Sequence, residues 1–106
     1  MLRFPANSTS TTVGTQVAQN SGGSAAVAGL YVTPSLDIYF SSHQEHVVYK
    51  TPAGSTANAT VVAGTINSAG SLFKQLSSPR GIFVDSSNNL FVAEFNGRRI
   101  MRFPAG

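Results

Sequence analysis

The side chains best suited to chemistry in this 106-residue chain stand together in His43-Gln44-Glu45-His46. Two imidazoles and a carboxylate form a donor set that Zn²⁺ accepts. The spacing is not the His-Glu-x-x-His of a zinc-binding helix, which puts both histidines on one face. The chain has only these two histidines, and both fall in a stretch that reads as a hairpin turn. A solvated turn is therefore expected there, with metal ligation by His43 and His46 as the lesser reading and no cofactor. Asp85 and Glu94 are the residue types of a general acid–base pair. Asp85, however, ends a strand ahead of Ser86-Ser87-Asn88-Asn89, where an aspartate caps a turn through its own side chain. No residue is assigned a catalytic role, and the chain is expected to be non-enzymatic.

The remaining charged groups are few. Lys and Arg number 7 against 4 Asp and Glu, and charged residues are 10% of the chain. That excess is too small to imply nucleic-acid binding by itself. Arg80, Arg98 and Arg102 are the candidate basic residues for a ligand-facing surface. Arg99 and Arg102 lie three apart on a strand pattern, so they point to opposite faces. Asn7-Ser8-Thr9 and Asn58-Ala59-Thr60 fit the N-glycosylation acceptor pattern, consistent with an extracellular parent protein. There is no cysteine, hence no disulfide framework and no thiolate metal site. No apolar run reaches membrane-span length, and residues 1–7 contain no apolar core of a signal peptide. Neither a membrane partner nor a signal peptide is expected.

The elements that position these residues are short strands. Ser, Thr, Asn and Gly make up 40 of the 106 residues, a turn-rich composition. Phe and Tyr, seven and three in number, supply bulk for a core. The chain also repeats itself. Residues 28–54 align with residues 80–106 at an offset of 52 without a gap, pairing Gly29 with Gly81, Val32 with Val84, Ser35 with Ser87, Pro52 with Pro104, Ala53 with Ala105 and Gly54 with Gly106. Class matches extend the pattern: Leu30/Ile82, Tyr31/Phe83, Ile38/Leu90, Tyr39/Phe91, Val48/Ile100 and Lys50/Arg102. Residues 1–7 read almost as residues 100–106, and Thr11–Thr15 resembles Thr60–Thr65. A period near 50 residues belongs to propeller blades or long helical repeats. No sustained 3.6-residue stripe is present, so the blade is preferred.

Strands are expected near Thr60–Val62, Ile82–Asp85, Leu90–Ala93 and Arg99–Phe103, with turns at Ser86–Asn89 and at Phe95-Asn96-Gly97-Arg98. Asn-Gly is a strong hairpin signal because both residues tolerate positive φ. Residues 65–79 read as the connection between units. The total is nine strands: two, then four, then three.

The string Leu76-Ser77-Ser78-Pro79-Arg80-Gly81-Ile82-Phe83-Val84-Asp85, continued by Leu90-Phe91-Val92-Ala93-Glu94 and Asn96-Gly97-Arg98-Arg99-Ile100, resembles an NHL repeat. The earlier copy departs from that pattern: Thr33 stands for Asp85, Ser42 for Glu94 and Val47 for Arg99. The resemblance implies an all-β fold of two four-stranded propeller blades in a ring of about six. It also implies that Glu94 and Arg99 tie a blade corner, a tie the first copy has lost. NHL proteins include RNA binders and lyases with metal-bound histidines drawn from several blades. Here both histidines sit in one turn, so a metal-dependent lyase or hydrolase is the weakest reading.

The expected organisation is a partial blade over residues 1–14, a first blade over 15–64, and a second over 65–106 that lacks its outermost strand. The third strand of the blade occurs twice, as Leu2–Phe4 and as Ile100–Phe103 with Met101. Gly29 and Gly81 admit the inner strands, Pro52 and Pro104 end the third strands, and Tyr31, Tyr39, Phe83 and Phe91 fill sheet interfaces. Two blades alone would leave apolar sheet faces in water. The expectation is a binding scaffold closed as a homotrimer of two-blade chains, with a protein or glycan ligand. The alternative is a fragment of a longer propeller that binds RNA or protein on one face.

Overall fold

A computed structural model describes residues 2, 3, 6, 15, 16, 27–55 and 59–105 of the chain. Every regular element among them is a strand. The strands are β1 (Leu2–Arg3), β2 (Thr15–Gln16), β3 (Val27–Val32), β4 (Ile38–Ser42), β5 (Val47–Thr51), β6 (Thr60–Gly64), β7 (Pro79–Val84), β8 (Leu90–Glu94) and β9 (Arg99–Phe103). They form a β1-β2 ribbon, a four-stranded sheet in the order β3-β4-β5-β6, and a three-stranded sheet in the order β7-β8-β9, all antiparallel. The nine expected strands are thus seen. Phe4, Asn7 and Asn58 lie outside the described residues, and with them the glycosylation reading and part of the duplicated strand.

Some boundaries differ from expectation. β7 starts at Pro79, ahead of Ile82, because a bulge at Arg80 carries the pairing past Gly81 to Pro79↔Glu94. β3 has the same irregularity at the equivalent place, between Val27 and Gly29. β6 pairs with β5 in the first sheet, within the 15–64 unit where it is expected. The strand partner of β1 is Thr15–Gln16, beyond the boundary drawn after residue 14, with Arg3↔Thr15 and Leu2↔Gln16. Thr15-Gln16 therefore corresponds to Thr60-Val61, opposite Lys50 and Tyr49. The register thus sets Thr15 against Thr60.

The hairpin turns explain the strand spacing. After β7, the Asp85 carboxylate accepts from Ser87 N–H and Asn89 N–H (both 2.9 Å) and from Asn89 Nδ2 (3.0 Å). After β3, Thr33 does part of this work: its Oγ1 accepts from Asp37 N–H (3.0 Å), the position equivalent to Asn89. The backbone bonds also match, Leu36 N–H to Thr33 C=O and Asn88 N–H to Asp85 C=O. Both turns need a left-handed residue, and it is Leu36 (φ 69°) in one and Asn88 (φ 65°) in the other. The far hairpins close by His46 N–H to Ser42 C=O and Arg98 N–H to Glu94 C=O. Positive φ falls on His46 and Arg98, not on Asn96 and Gly97. The turn is four residues long, so the two-residue form that Asn-Gly signals is not used.

The core sits between the sheets. Tyr39, Val48 and Ala63 of the first sheet pack with Leu76 of the connection and with Val84, Leu90 and Val92 of the second; Ile82, Met101 and Phe103 are half-buried against them. On its other face the first sheet has a second cluster, Phe40, Val47, Tyr49 and Ala59, with Phe40 and Tyr49 rings stacked at 5.3 Å. Strands β4 and β5 are therefore buried on both faces. Strand β8 instead alternates between buried Leu90, Val92 and Glu94 and the more open Phe91 and Ala93.

Two predictions follow from the turns. Leu36 is 63% exposed and held at positive φ, where a leucine pays a steric cost that asparagine largely avoids. Leu36→Asn should stabilise the fold by about 0.5–1 kcal/mol in chemical denaturation. The Asn89 side-chain amide, then the backbone N–H groups of Asn89 and Ser87 and the charge of Arg102, hold the Asp85 carboxyl below its ordinary value of 3.8. A folded-state value lowered in this way contributes stability above the unfolded value and loses it as pH falls through the folded one. The stability gap between the parent chain and Asp85→Ala should therefore shrink as pH falls below 3.8.

Candidate functional site

The two sheets meet where β7 lies along β3 and β4. A Cβ on Gly29 would stand 1.8 Å from the backbone oxygen of Arg80, so only glycine allows the approach. Ser41 bridges it: its Oγ accepts from Gly29 N–H (2.8 Å) and donates to Arg80 C=O (2.8 Å). Tyr31 and Phe83 meet edge to face at 5.0 Å along the same line. At Gly81, the counterpart of Gly29, nothing comes this close, and a Cβ would sit 3.6 Å from the Ala93 methyl.

The connection between sheets is held by one buried charge pair. Glu94 is 5% exposed. It pairs with the Arg99 guanidinium and accepts from Ser77 N–H (2.6 Å). Arg99 in turn donates to the carbonyls of Ser71 (2.9 Å), Leu72 (3.4 Å) and Gln75 (3.2 Å). The loop is wound around this guanidinium, and Phe73 is left pointing into solvent. The Glu94–Arg99 pair is thus present in the second copy.

The first copy has an answer of its own. Glu45 is buried, and its Oε1 accepts from Tyr49 O–H at 2.8 Å. The turn was expected to be solvated; instead Glu45 is buried and His43 and His46 are half-buried, leaving Gln44 exposed. Glu45 aligns with Gly97, and Ser42 with Glu94. A Cβ on Gly97 would come within 2.9 Å of the Glu94 carboxylate. Each copy therefore places one carboxylate in its turn region and a small residue at the position the other copy uses. Comparing columns 42/94 and 45/97 of the repeat alignment would have shown this exchange.

His46 has a structural partner as well, since its Nδ1 accepts from Ser78 N–H (3.0 Å) across the sheet junction. Among the described residues no three His, Asp or Glu groups gather as a metal site. The basic residues are dispersed. Arg80 lies 4.6 Å over the Phe95 ring, Arg98 is exposed in its turn, and Arg102 is exposed on the outer face of β9. Arg99 and Arg102 do face opposite ways, as alternation requires. An open cleft between the sheets is lined by Asp37, Tyr39, Lys50, Asn88 and Phe103. Lys50 Nζ sits 5.5 Å over the Tyr39 ring, and Asp37 Oδ1 accepts from Ala53 N–H (2.9 Å). Asn89 does the same for Ala105 N–H (3.2 Å), so the residues after Pro52 and Pro104 are fastened alike.

The outer face of the second sheet exposes apolar side chains. Opposed residues there are Gly81, Ala93 and Ile100 in one row and Phe83, Phe91 and Arg102 in the next. Ile100 is 72% exposed and Phe83 52%. Leu2 is also exposed.

The carboxylate exchange yields a test. Glu94→Ser should cost about 2–3 kcal/mol, because Arg99 loses its partner in a largely buried setting. Gly97→Glu alone should destabilise, since its side chain meets Glu94. In the Glu94→Ser background Gly97→Glu should stabilise, and a double-mutant cycle will read this change of sign. A scan against protein-family models found no match for the chain, and a search of curated proteins found none.

Proposed function

We propose that the chain is a non-enzymatic β-propeller scaffold of the NHL type. Its two sheets are consecutive blades, and three copies close a ring of six. The observation that carries this is the identity of the exposed face. Gly81, Phe83, Phe91, Ala93, Ile100 and Arg102 are the repeat counterparts of Gly29, Tyr31, Tyr39, Ser41, Val48 and Lys50. In the first sheet that face is covered by the second sheet, with Tyr39 and Val48 in the core. The same surface on the second sheet has no cover among the described residues. Its apolar groups are the kind a further sheet would bury.

Gly81 supports the same conclusion. Its backbone needs no positive φ, and an alanine would fit there. Gly29 is needed because a backbone carbonyl from the next sheet abuts it. A third sheet arriving in the same manner would impose the same need on Gly81. Phe83, already edge-on to Tyr31, would offer its free side to the tyrosine of the next copy. One departure is visible: Ala93 replaces Ser41, so this closure would lack the hydroxyl bridge.

The contact is heterologous, one face of the chain meeting a different face of its neighbour, and such contacts form a ring where the rotation from copy to copy closes and an open filament where it does not. Loops at one end of the ring, including the stacked Arg80 and Phe95, would be the ligand-contacting surface. Light scattering should give a mass of three times 11.1 kDa. Ile100→Lys should return the species to single-chain mass, since each interface loses about 2 kcal/mol of apolar burial and gains a charge. Gly81→Ala should keep the circular dichroism of the parent but weaken the assembly, whereas Gly29→Ala should disrupt the fold itself. A monomeric parent chain, or a trimer indifferent to both Ile100→Lys and Gly81→Ala, would refute the ring.

A further inference from the structure

Among the described residues the second sheet has one strand fewer than the first. The first sheet has β6 on the outer edge of β5, whereas β9, the equivalent of β5, has no strand on its outer edge among the described residues. A bare, regular edge of this kind presents unpaired N–H and C=O groups and invites a strand. The chain also contains a strand of the missing type. β2 pairs with β1 in the register that β6 uses on β5: Arg3↔Thr15 and Leu2↔Gln16 match Lys50↔Thr60 and Tyr49↔Val61. The sequence agrees, since Thr15-Gln16-Val17-Ala18 aligns with Thr60-Val61-Val62-Ala63. β1 and β9 are two copies of one strand, Leu2-Arg3-Phe4-Pro5-Ala6 against Met101-Arg102-Phe103-Pro104-Ala105. Either can serve as the partner of β2.

The two partners are not equal. β1 is two residues long and belongs to a two-stranded ribbon with exposed Leu2 and Arg3. Isolated two-stranded ribbons are marginal in water. β9 is five residues long and is held along its whole length by β8.

We infer that β9 accepts β2 of a neighbouring copy, with Thr15 opposite Arg102 and Gln16 opposite Met101, displacing β1. The order along the chain says why the donor is another copy. β6 runs through residues 65–78 into β7, the inner strand of the following sheet. β2 is likewise followed in the chain by an inner strand, β3. β2 thus belongs at the outer edge of the sheet that precedes the first one. In the proposed ring, on which this inference rests, the preceding sheet is the second sheet of the neighbour.

Because the chain has no cysteine, the register can be read by engineered disulfides. Thr15→Cys and Arg102→Cys chains are mixed and mildly oxidised, as are Gln16→Cys and Met101→Cys chains; Thr15→Cys with Ile100→Cys is the out-of-register control. Directly opposed positions lie within bridging distance and staggered ones do not, so the in-register pairs should give roughly tenfold more product at twice the chain mass than the control. Trimer mass with no such product, together with ready bridging in a Thr15→Cys/Arg3→Cys double variant, would overturn the strand transfer and leave the ring standing. A dimer bridged through Met101→Cys in both chains would show β9 pairing with itself and overturn the transfer too. Monomer mass with neither inter-chain product would overturn both.

Discussion

The approach of β7 to β3 is the constraint on which the rest of this structure depends. It brings a carbonyl oxygen of one sheet to where the side chain of Gly29 would begin, and Ser41 satisfies both backbone groups that the approach would otherwise strand. A buried carbonyl or N–H left without a partner costs about as much as a hydrogen bond gains. The serine therefore turns a steric tolerance into a specified contact. With it set, Val84, Leu90 and Val92 meet Tyr39 and Val48, and the main core is formed.

A second layer of polar contacts fixes the connection to the sheets. Glu94 and Arg99 are a charge pair that reads backbone, with one N–H donated to the carboxylate and three carbonyls accepting from the guanidinium. In the first copy a carboxylate reaches the turn region from a different position and meets a tyrosine hydroxyl. Thr33 and Asp85 show the same behaviour on a smaller scale, since a hydroxyl and a carboxylate both accept the N–H four residues on. The copies have kept the places where hydrogen-bond acceptors are needed and let the residues supplying them drift.

That pattern explains what could be seen in the sequence. Strands and turns were legible because they rest on alternation, aromatic runs and residues such as Asp85 whose preferences are local. The Glu94–Arg99 pair was visible through family resemblance. The burial of Glu45 was not, because residue type says a charged turn residue is solvated; only the complementary loss of side chain at Gly97 hints otherwise. Nor was the left-handed residue of the far hairpins, because loop length overrode the Asn-Gly preference. Ser41 was missed since a serine in a strand has no pattern of its own. The partner of β1 was misplaced because Thr and Val recur in both candidate segments, and only the pairing register separates them.

A repeat that covers its own copy head to tail has no natural end. Each added sheet buries one face and exposes its equivalent, so the array stops only by closing or by capping. Here the second sheet presents Ile100, Phe83 and Phe91 on one face and a strand edge on β9, neither of them covered among the described residues. Face and edge belong to one sheet, so whatever covers the first is positioned to complete the second. A neighbour that stacks on Ile100 without supplying a strand leaves backbone groups unpaired beside a new core. A neighbour that adds a strand without stacking leaves the aromatics wet. The two contacts reinforce each other only when one partner makes both, and stability then becomes a property of chain concentration as well as of the chain.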